Sequence, residues 1–229
     1  MARRVRRRVA VLISGRGSNL GALIGAAQDP DYPAEIALVL SNRAEAAGLE
    51  RARAAGIPTA VVESRPFGRD RAGFEAAVQA ALDAHGVEIV ALAGFMRVLT
   101  EGFVTRWAGR MINIHPSLLP VFPGLDTHVR ALAAGVRLHG CTVHFVTPGV
   151  DEGPIIAQAA IGVRADDDEA SLAARVLAQE HLLYPAALAW VAAGAARLEG
   201  GRAVVDAPAT EESLRSPLPA SPPLPTRKA

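Results

Sequence analysis

Short apolar runs alternate with longer amphipathic segments through the first half of the chain, and glycine or small polar residues mark the junctions. Residues 9–14 form one such run and break into the polar turn SGRGSN. Helical spacing then covers 20–28, with Ser18 or Asn19 as the expected N-cap. The same alternation predicts strands at 36–40, 57–62 and 87–93, and helices at 44–55 and 69–85 that stop at Gly56 and Gly86. Strands that are apolar throughout, separated by helices of this length, predict an α/β fold whose parallel sheet is covered on both faces, with right-handed crossovers. Ligands of such sheets bind beyond the carboxyl ends of the strands.

The second half departs from that rhythm. A helical piece at 101–107 leads to a strand at 110–114, and the loop 115–124 carries three prolines. Residues 127–134 read as a helix stopped by Gly135. Strands at 140–146 and 154–161 are joined by the turn TPGVDEG, which is short enough to predict an antiparallel pair. A long helix is expected from 169 to about 192 with Pro185 as a possible kink, and 197–205 reads as a hairpin around Gly200 and Gly201. From 207 onward the chain is proline-rich and lacks apolar periodicity, which predicts a disordered tail. The expected organisation is a basic arm at 1–8, one domain at 9–205 and a tail at 206–229.

Composition narrows the class. A chain of 229 residues, 50% hydrophobic and 21% charged, can bury the core of one soluble domain. The net charge of +1 says nothing for nucleic acid, because the local positive excess is confined to Arg3, Arg4, Arg6, Arg7 and Arg8, which read better as a solvated arm. VAVLI breaks too soon for a secretory signal, and no run is long enough to span a membrane. Cys141 stands alone and cannot form an internal disulfide, which fits a reducing cytoplasm; its apolar neighbours suggest a small core residue.

Two stretches carry chemistry. In SGRGSN, glycines at a strand-to-helix turn can bring backbone amides and a helix N-terminus to a phosphate, although a tight turn with a capped helix has the same look. A dinucleotide site would need glycine where Leu20 stands and an acid where Ser41 and Asn42 stand, and no Walker lysine follows. The second stretch is 111–153. Asn113 and His115, two apart on an extended segment, face the same side and can both donate to an oxyanion such as acyl transfer to an amine creates. Asp151, in a glycine-flanked turn, can support an imidazolium and relay a proton through water. Each also has a plain structural reading: Asn113 as a loop cap, His115 as a satisfied buried imidazole, Asp151 as a turn former. His144 alternates with Val143 and Phe145, and either faces the same cleft or is a paired core histidine. His85 is expected to serve a helix C-terminus, and His128 and His139 to be structural or solvent-facing. No His-x-x-x-His pair or thiolate set is present, so no metal is expected.

NIHPSLLPVFPGLDTH, followed by HGCTVHFVTPGVDEGPIIAQ, resembles the signature region of the glycinamide ribonucleotide formyltransferases, folate-dependent enzymes of purine biosynthesis. VLISGRGSNL, LSNRAEAAGLERARAAGIPT, LAGFMRVLT and QEHLLYP extend the resemblance over nearly all of 9–205. It implies a Rossmann-like, mostly parallel sheet flanked by helices, with an antiparallel extension in the C-terminal half. The N-terminal half would bind the substrate phosphate, and a cleft toward the C-terminal half would take 10-formyltetrahydrofolate as co-substrate.

By that resemblance Asn113, His115 and Asp151 match the catalytic trio. Gly17, Ser18 and Asn19 match the phosphate loop, and Glu180 the acid on the ribose hydroxyls of phosphoribosylglycinamide. Met96, Arg97, Val98 and Leu99, with Asn113, match the wall of the pterin pocket. Arg71 is expected near the donor's glutamate tail, with Arg69 as its competitor. Arg16 departs from the small polar residue expected in the phosphate loop, and either adds charge there or faces solvent. The implied partners are two small molecules, with no nucleic acid or membrane, in a monomer or homodimer. The rival expectations are a 10-formyltetrahydrofolate hydrolase, which resembles the chain through the same trio but usually has an extra N-terminal domain; a methionyl-tRNA formyltransferase, which needs a further C-terminal domain; and a folate- or nucleotide-binding module without activity.

Overall fold

The computed structural model describes residues 6–206, and its first feature is the split of β1 (Arg7–Ile13) between two cores. Side chains on a strand alternate between faces. Val9, Val11 and Ile13 therefore enter one apolar cluster, whereas Ala10 and Leu12 enter the other. The first cluster packs under α1 (Ser18–Ala27), α2 (Gly48–Ala54) and the long α6 (Glu169–Ala192); the second packs under α3 (Arg71–Ala84) and α4 (Glu101–Arg106). Both faces of the sheet are thereby covered, as continuous apolar strands require.

β2 (Ala34–Ser41) and β3 (Thr59–Val61) lie to one side of β1; β4 (Ile89–Leu92) and β5 (Met111–His115) lie to the other. These five strands are parallel, in the order β3-β2-β1-β4-β5. The chain thus reverses its direction of growth between β1 and β4, which opens a crevice at their carboxyl ends. β6 (Leu138–Phe145) and β7 (Ile155–Gly162) extend the sheet in antiparallel fashion after α5 (Thr127–Ala133). A two-stranded hairpin, β8 (Ala196–Glu199) with β9 (Arg202–Val205), follows α6. The expected fold class, a Rossmann-like parallel sheet flanked by helices with an antiparallel extension, is therefore correct.

Several boundaries differ from the sequence expectation. β1 begins at Arg7, because Arg8 N–H donates to Glu88 at 3.0 Å and the Arg8 guanidinium pairs with Glu35 at 2.6 Å. Arg6 reaches back to the Ala34 carbonyl at 2.9 Å, so residues 6–8 of the expected arm belong to the domain. The N-cap of α1 is Gly17 rather than Ser18 or Asn19, at φ 68, a left-handed conformation that glycine adopts freely. α2 is shorter than expected and starts at Gly48. α6 continues through Pro185, and its start is closed by a capping box between Asp168 and Ser171. The proline-rich tail, expected to be disordered, and the first arginines of the arm lie outside the described residues.

One contact ties α6 to the sheet beneath the crevice. Tyr184, fully buried, donates its hydroxyl to the Leu92 carbonyl at 2.8 Å and approaches the Ile112 carbonyl at 3.3 Å. Tyr184→Phe is expected to lower unfolding stability by about 1–2 kcal/mol, since it removes the donor from a buried carbonyl. Urea unfolding followed by circular dichroism measures this, and an unchanged midpoint would show that the hydroxyl anchors nothing.

Candidate active site

A cleft of about 650 Å³ opens where the carboxyl ends of β4 and β5 meet the turn after β6 and the start of α5. Asn113 and His115, on β5, both line it, as their spacing on a strand predicts. Asp151 comes from the turn at 146–154, which folds back over the strand ends. That fold requires glycine at 153, where an added Cβ would lie 1.7 Å from the Phe145 carbonyl oxygen.

His115 is held at both ring nitrogens. Nε2 lies 2.9 Å from the Phe122 carbonyl, which can only accept, so Nε2 carries a proton. Nδ1 faces Asp151 Oδ2 at 3.3 Å. The same carboxylate oxygen accepts the Gly124 N–H at 2.8 Å, linking the β5 loop to the far turn. Phe122, Asp126 and Asp151 all adopt positive φ, near 57°, so the backbone around this contact is strained at three non-glycine positions.

His144 faces the cleft and is also paired, so both of its alternatives hold. It lies across from Asn113 in the β5–β6 ladder, and Asn113 Nδ2 donates to its Nε2 at 3.2 Å. Its other nitrogen donates to the Phe145 carbonyl at 3.0 Å, which fixes a neutral ring. Burial depresses its pKa, and nearby His115 adds to that; the Phe145 hydrogen bond and Asp151, 3.8 Å from Nε2, act against it. One N–H of Asn113 remains for a ligand. Strand alternation could reveal that His144 faces inward, but not that it orients an amide.

His128 and His139 form a second pair, 3.2 Å apart between Nδ1 and Nε2. His139 is buried, His128 is half-buried and lines the cleft, and the edge of Phe122 packs on His139. Burial and the neighbouring imidazoles push His139 down to about 4.

The remaining expected site residues divide. Asn19 and Glu180 line the cleft and meet each other, Asn19 Nδ2 donating to Glu180 at 2.7 Å while Asn19 Oδ1 has no partner among the described residues. Burial raises the Glu180 pKa, with the Asn19 bond opposing. Gly17 caps α1 and Ser18 begins it, both outside the cleft lining; Gly17 packs so tightly on α2 that a Cβ would meet Gly48 Cα at 2.9 Å. Arg16 is exposed. Met96, Arg97, Val98 and Leu99 also line the cleft, with Met96 and Val98 open to solvent at 62% and 55%. Arg97 lies over the Phe74 ring at 5.8 Å. Arg71 and Arg69 are exposed and outside the lining, Arg71 as the first residue of α3. The Phe122 carbonyl and Gly124 amide are main-chain groups, which no residue pattern marks.

Residues 7–188 match the model of the formyl transferase family. The chain is 45% identical over 198 residues to the phosphoribosylglycinamide formyltransferase of Escherichia coli, covering 86% of this chain and 93% of that protein. It is 50% identical over 196 residues to the human trifunctional purine biosynthetic protein adenosine-3, of which it spans only 19%. Among solved structures, the phosphoribosylglycinamide formyltransferase from Coxiella burnetii in complex with CHES aligns with a TM-score of 0.84 at 46% identity, over 88% of this chain and 94% of that one. A formyltetrahydrofolate deformylase from Pseudomonas syringae aligns with a TM-score of 0.81 at 26% identity, over 87% of this chain and 66% of that one.

The buried histidines set an acid limit on the fold. His139, His144 and His128 all have lowered pKa values, so the unfolded chain binds protons that the folded chain refuses. Stability is full above the ordinary imidazole value of about 6.5 and falls as pH drops toward about 4, where folded His139 also charges. From pH 7 to 5, His139 alone accounts for up to about 2 kcal/mol. Urea midpoints across that range are expected to fall, and to fall less in His139→Gln; equal slopes would refute the assignment.

Proposed function

The chain belongs to the formyl transferase family, and on that premise we propose that it transfers the formyl group of 10-formyltetrahydrofolate to the glycinamide amine of 5′-phosphoribosylglycinamide in purine biosynthesis. The observation that carries this reading is one cleft that Asn113, His115 and Asp151 line together with two further groups, Asn19 with Glu180 and Met96 to Leu99. A phosphorylated ribose suits the first group, with Gly17, Ser18 and Asn19 at the helix start and Glu180 accepting from hydroxyls. A flat heterocycle suits the second, where apolar side chains flank main-chain groups. Arg71, at the start of α3, serves the donor's glutamate tail from outside the cleft proper. No metal takes part.

The substrate amine attacks the formyl carbon, and the carbonyl electron pair moves onto oxygen. That oxyanion receives the free N–H of Asn113 and the Nε2–H of His115, where it takes over the bond now made to the Phe122 carbonyl. The His115 ring carries both protons in this state, with its Nδ1–H directed at Asp151. Asp151 receives the ammonium proton through water; the oxyanion's electron pair then re-forms the carbonyl, the bond from carbon to the donor's N10 breaks, and the same proton passes back from Asp151 through water to N10. Formylglycinamide ribonucleotide and tetrahydrofolate leave. No covalent enzyme intermediate forms, and the alignment of two bound reactants supplies much of the rate. Residues 6–205 act as one catalytic domain, in the cytoplasm, as a monomer or homodimer.

The deformylase likeness makes hydrolysis the second reading, with water in place of the amine. Donor consumption, followed spectrophotometrically with and without phosphoribosylglycinamide, separates the two. Loss of formyl is expected only when the amine is present, and to fall by a factor of about 10² to 10⁴ in His115→Ala and Asp151→Asn. Equal loss without the amine would favour the hydrolase, and donor binding without turnover would leave a non-catalytic module.

A further inference from the structure

The wall at 94–99 has no regular structure of its own, since from Phe95 to Thr100 the chain is neither helix nor strand. A backbone that reads a heterocycle through its amides must nevertheless hold its geometry to within about 0.5 Å. Buried side chains anchor it at both ends. At the start, Ser14 N–H donates to the Gly94 carbonyl at 3.1 Å, and Ser14 Oγ accepts the Met96 N–H at 2.8 Å. That hydroxyl donates in turn to Asn42 Oδ1 at 2.6 Å.

At the far end stands Glu75 of α3, 5% exposed and outside the cleft lining. One carboxylate oxygen accepts the Thr100 N–H at 2.6 Å, and the other accepts the Thr100 hydroxyl. Thr100 follows Leu99 directly and caps α4. Among the described residues Glu75 makes no ion pair, and both of its recorded hydrogen bonds go to this one residue. A buried carboxylate is costly unless it is bonded, and a leucine would fill the space without that cost. A purely packing role therefore does not account for it.

We propose that Glu75 is a positioning residue for the formyl donor, acting through Thr100 to hold the Met96–Leu99 backbone against the heterocycle, with Ser14 as the matching anchor at the other end. The inference rests on the reading of 94–99 as the pterin wall. It predicts a defect confined to one of the two substrates.

The test uses the full chain, with 10-formyl-5,8-dideazafolate as a stable donor. In Glu75→Ala, the dissociation constant and the KM for this donor are expected to rise about tenfold, the factor that corresponds to 1.4 kcal/mol. The KM for phosphoribosylglycinamide should stay within about twofold of wild type by the same reasoning. Glu75→Gln, which can still accept the Thr100 N–H and donate to its hydroxyl, should recover most of the affinity. If Glu75→Ala does not fold, Thr100→Val against Thr100→Ser provides the same comparison. A role in stability alone would lower the melting temperature and leave the donor KM unchanged, and that result, or a parallel rise in both KM values, overturns the proposal. Failure of the wild-type chain to bind the donor would instead overturn the functional reading on which the proposal rests.

Discussion

A parallel strand that ends must leave its last amides and carbonyls without ladder partners, and a buried group of that kind has to find another. In this fold the chain leaves β1, β4 and β5 at the same edge, so the unmet backbone groups accumulate where the ligands would bind. Side chains meet the need from behind the cleft. Tyr184 takes the Leu92 and Ile112 carbonyls, and Ser14 takes the Met96 amide. Thr142, fully buried on β6, accepts the Leu119 N–H at 3.0 Å and donates to the Ser117 carbonyl at 2.7 Å. The cleft is thus a set of irregular segments, each tied to a regular element by a buried hydroxyl or carboxylate.

The same economy of partners governs the electrostatics. Four imidazoles lie near one another, and they would repel if all were charged. His144 is committed to the neutral form by donating to a carbonyl and accepting from Asn113, and His139 by burial beside His128. Asp151 lies nearer to His115, at 3.3 Å from Nδ1, than to His144, at 3.8 Å from Nε2. The positive charge that the proposed mechanism calls for would therefore be favoured at His115, beside neighbours that stay neutral.

Much of this was legible in the chain, and the reasons are physical. Apolar runs and glycine stops determine which face of an element is buried, so the parallel sheet and the antiparallel extension followed from pattern, and Asn113 and His115 followed from strand period. Asp151, in its glycine-flanked turn, read equally as a turn former, and the contact with His115 at 3.3 Å comes from the tertiary fold. Element ends were less legible, because the competition at Ser18 and Asn19 was decided by tertiary contacts: Asn19 turns to Glu180, which is remote in sequence, and Gly17 takes the cap. Arg7 and Arg8 looked like a solvated arm because their partners, Glu35 on β2 and Glu88 just before β4, are remote in sequence. The Phe122 carbonyl and the Gly124 amide left no trace at all, since every residue has such groups.

The division of the trio between elements has its own logic. Under the proposed mechanism Asn113 and His115 would meet a developing oxyanion at fixed distance and angle, and both stand on β5 opposite β6, Asn113 also opposite Leu92 of β4. Asp151 would have the looser task of accepting a proton through water, and it sits in a turn held by one amide of the opposite loop. On that reading, geometry that needs precision is placed on the sheet, and the group that would exchange protons is placed at its rim. The strained φ angles at Phe122, Asp126 and Asp151 fall in the segments that close over the strand ends, not on the strand itself. The positive φ angles are thereby confined to loop segments, while Asn113 and His115 stand in the ladder with β6, Asn113 also opposite Leu92 of β4.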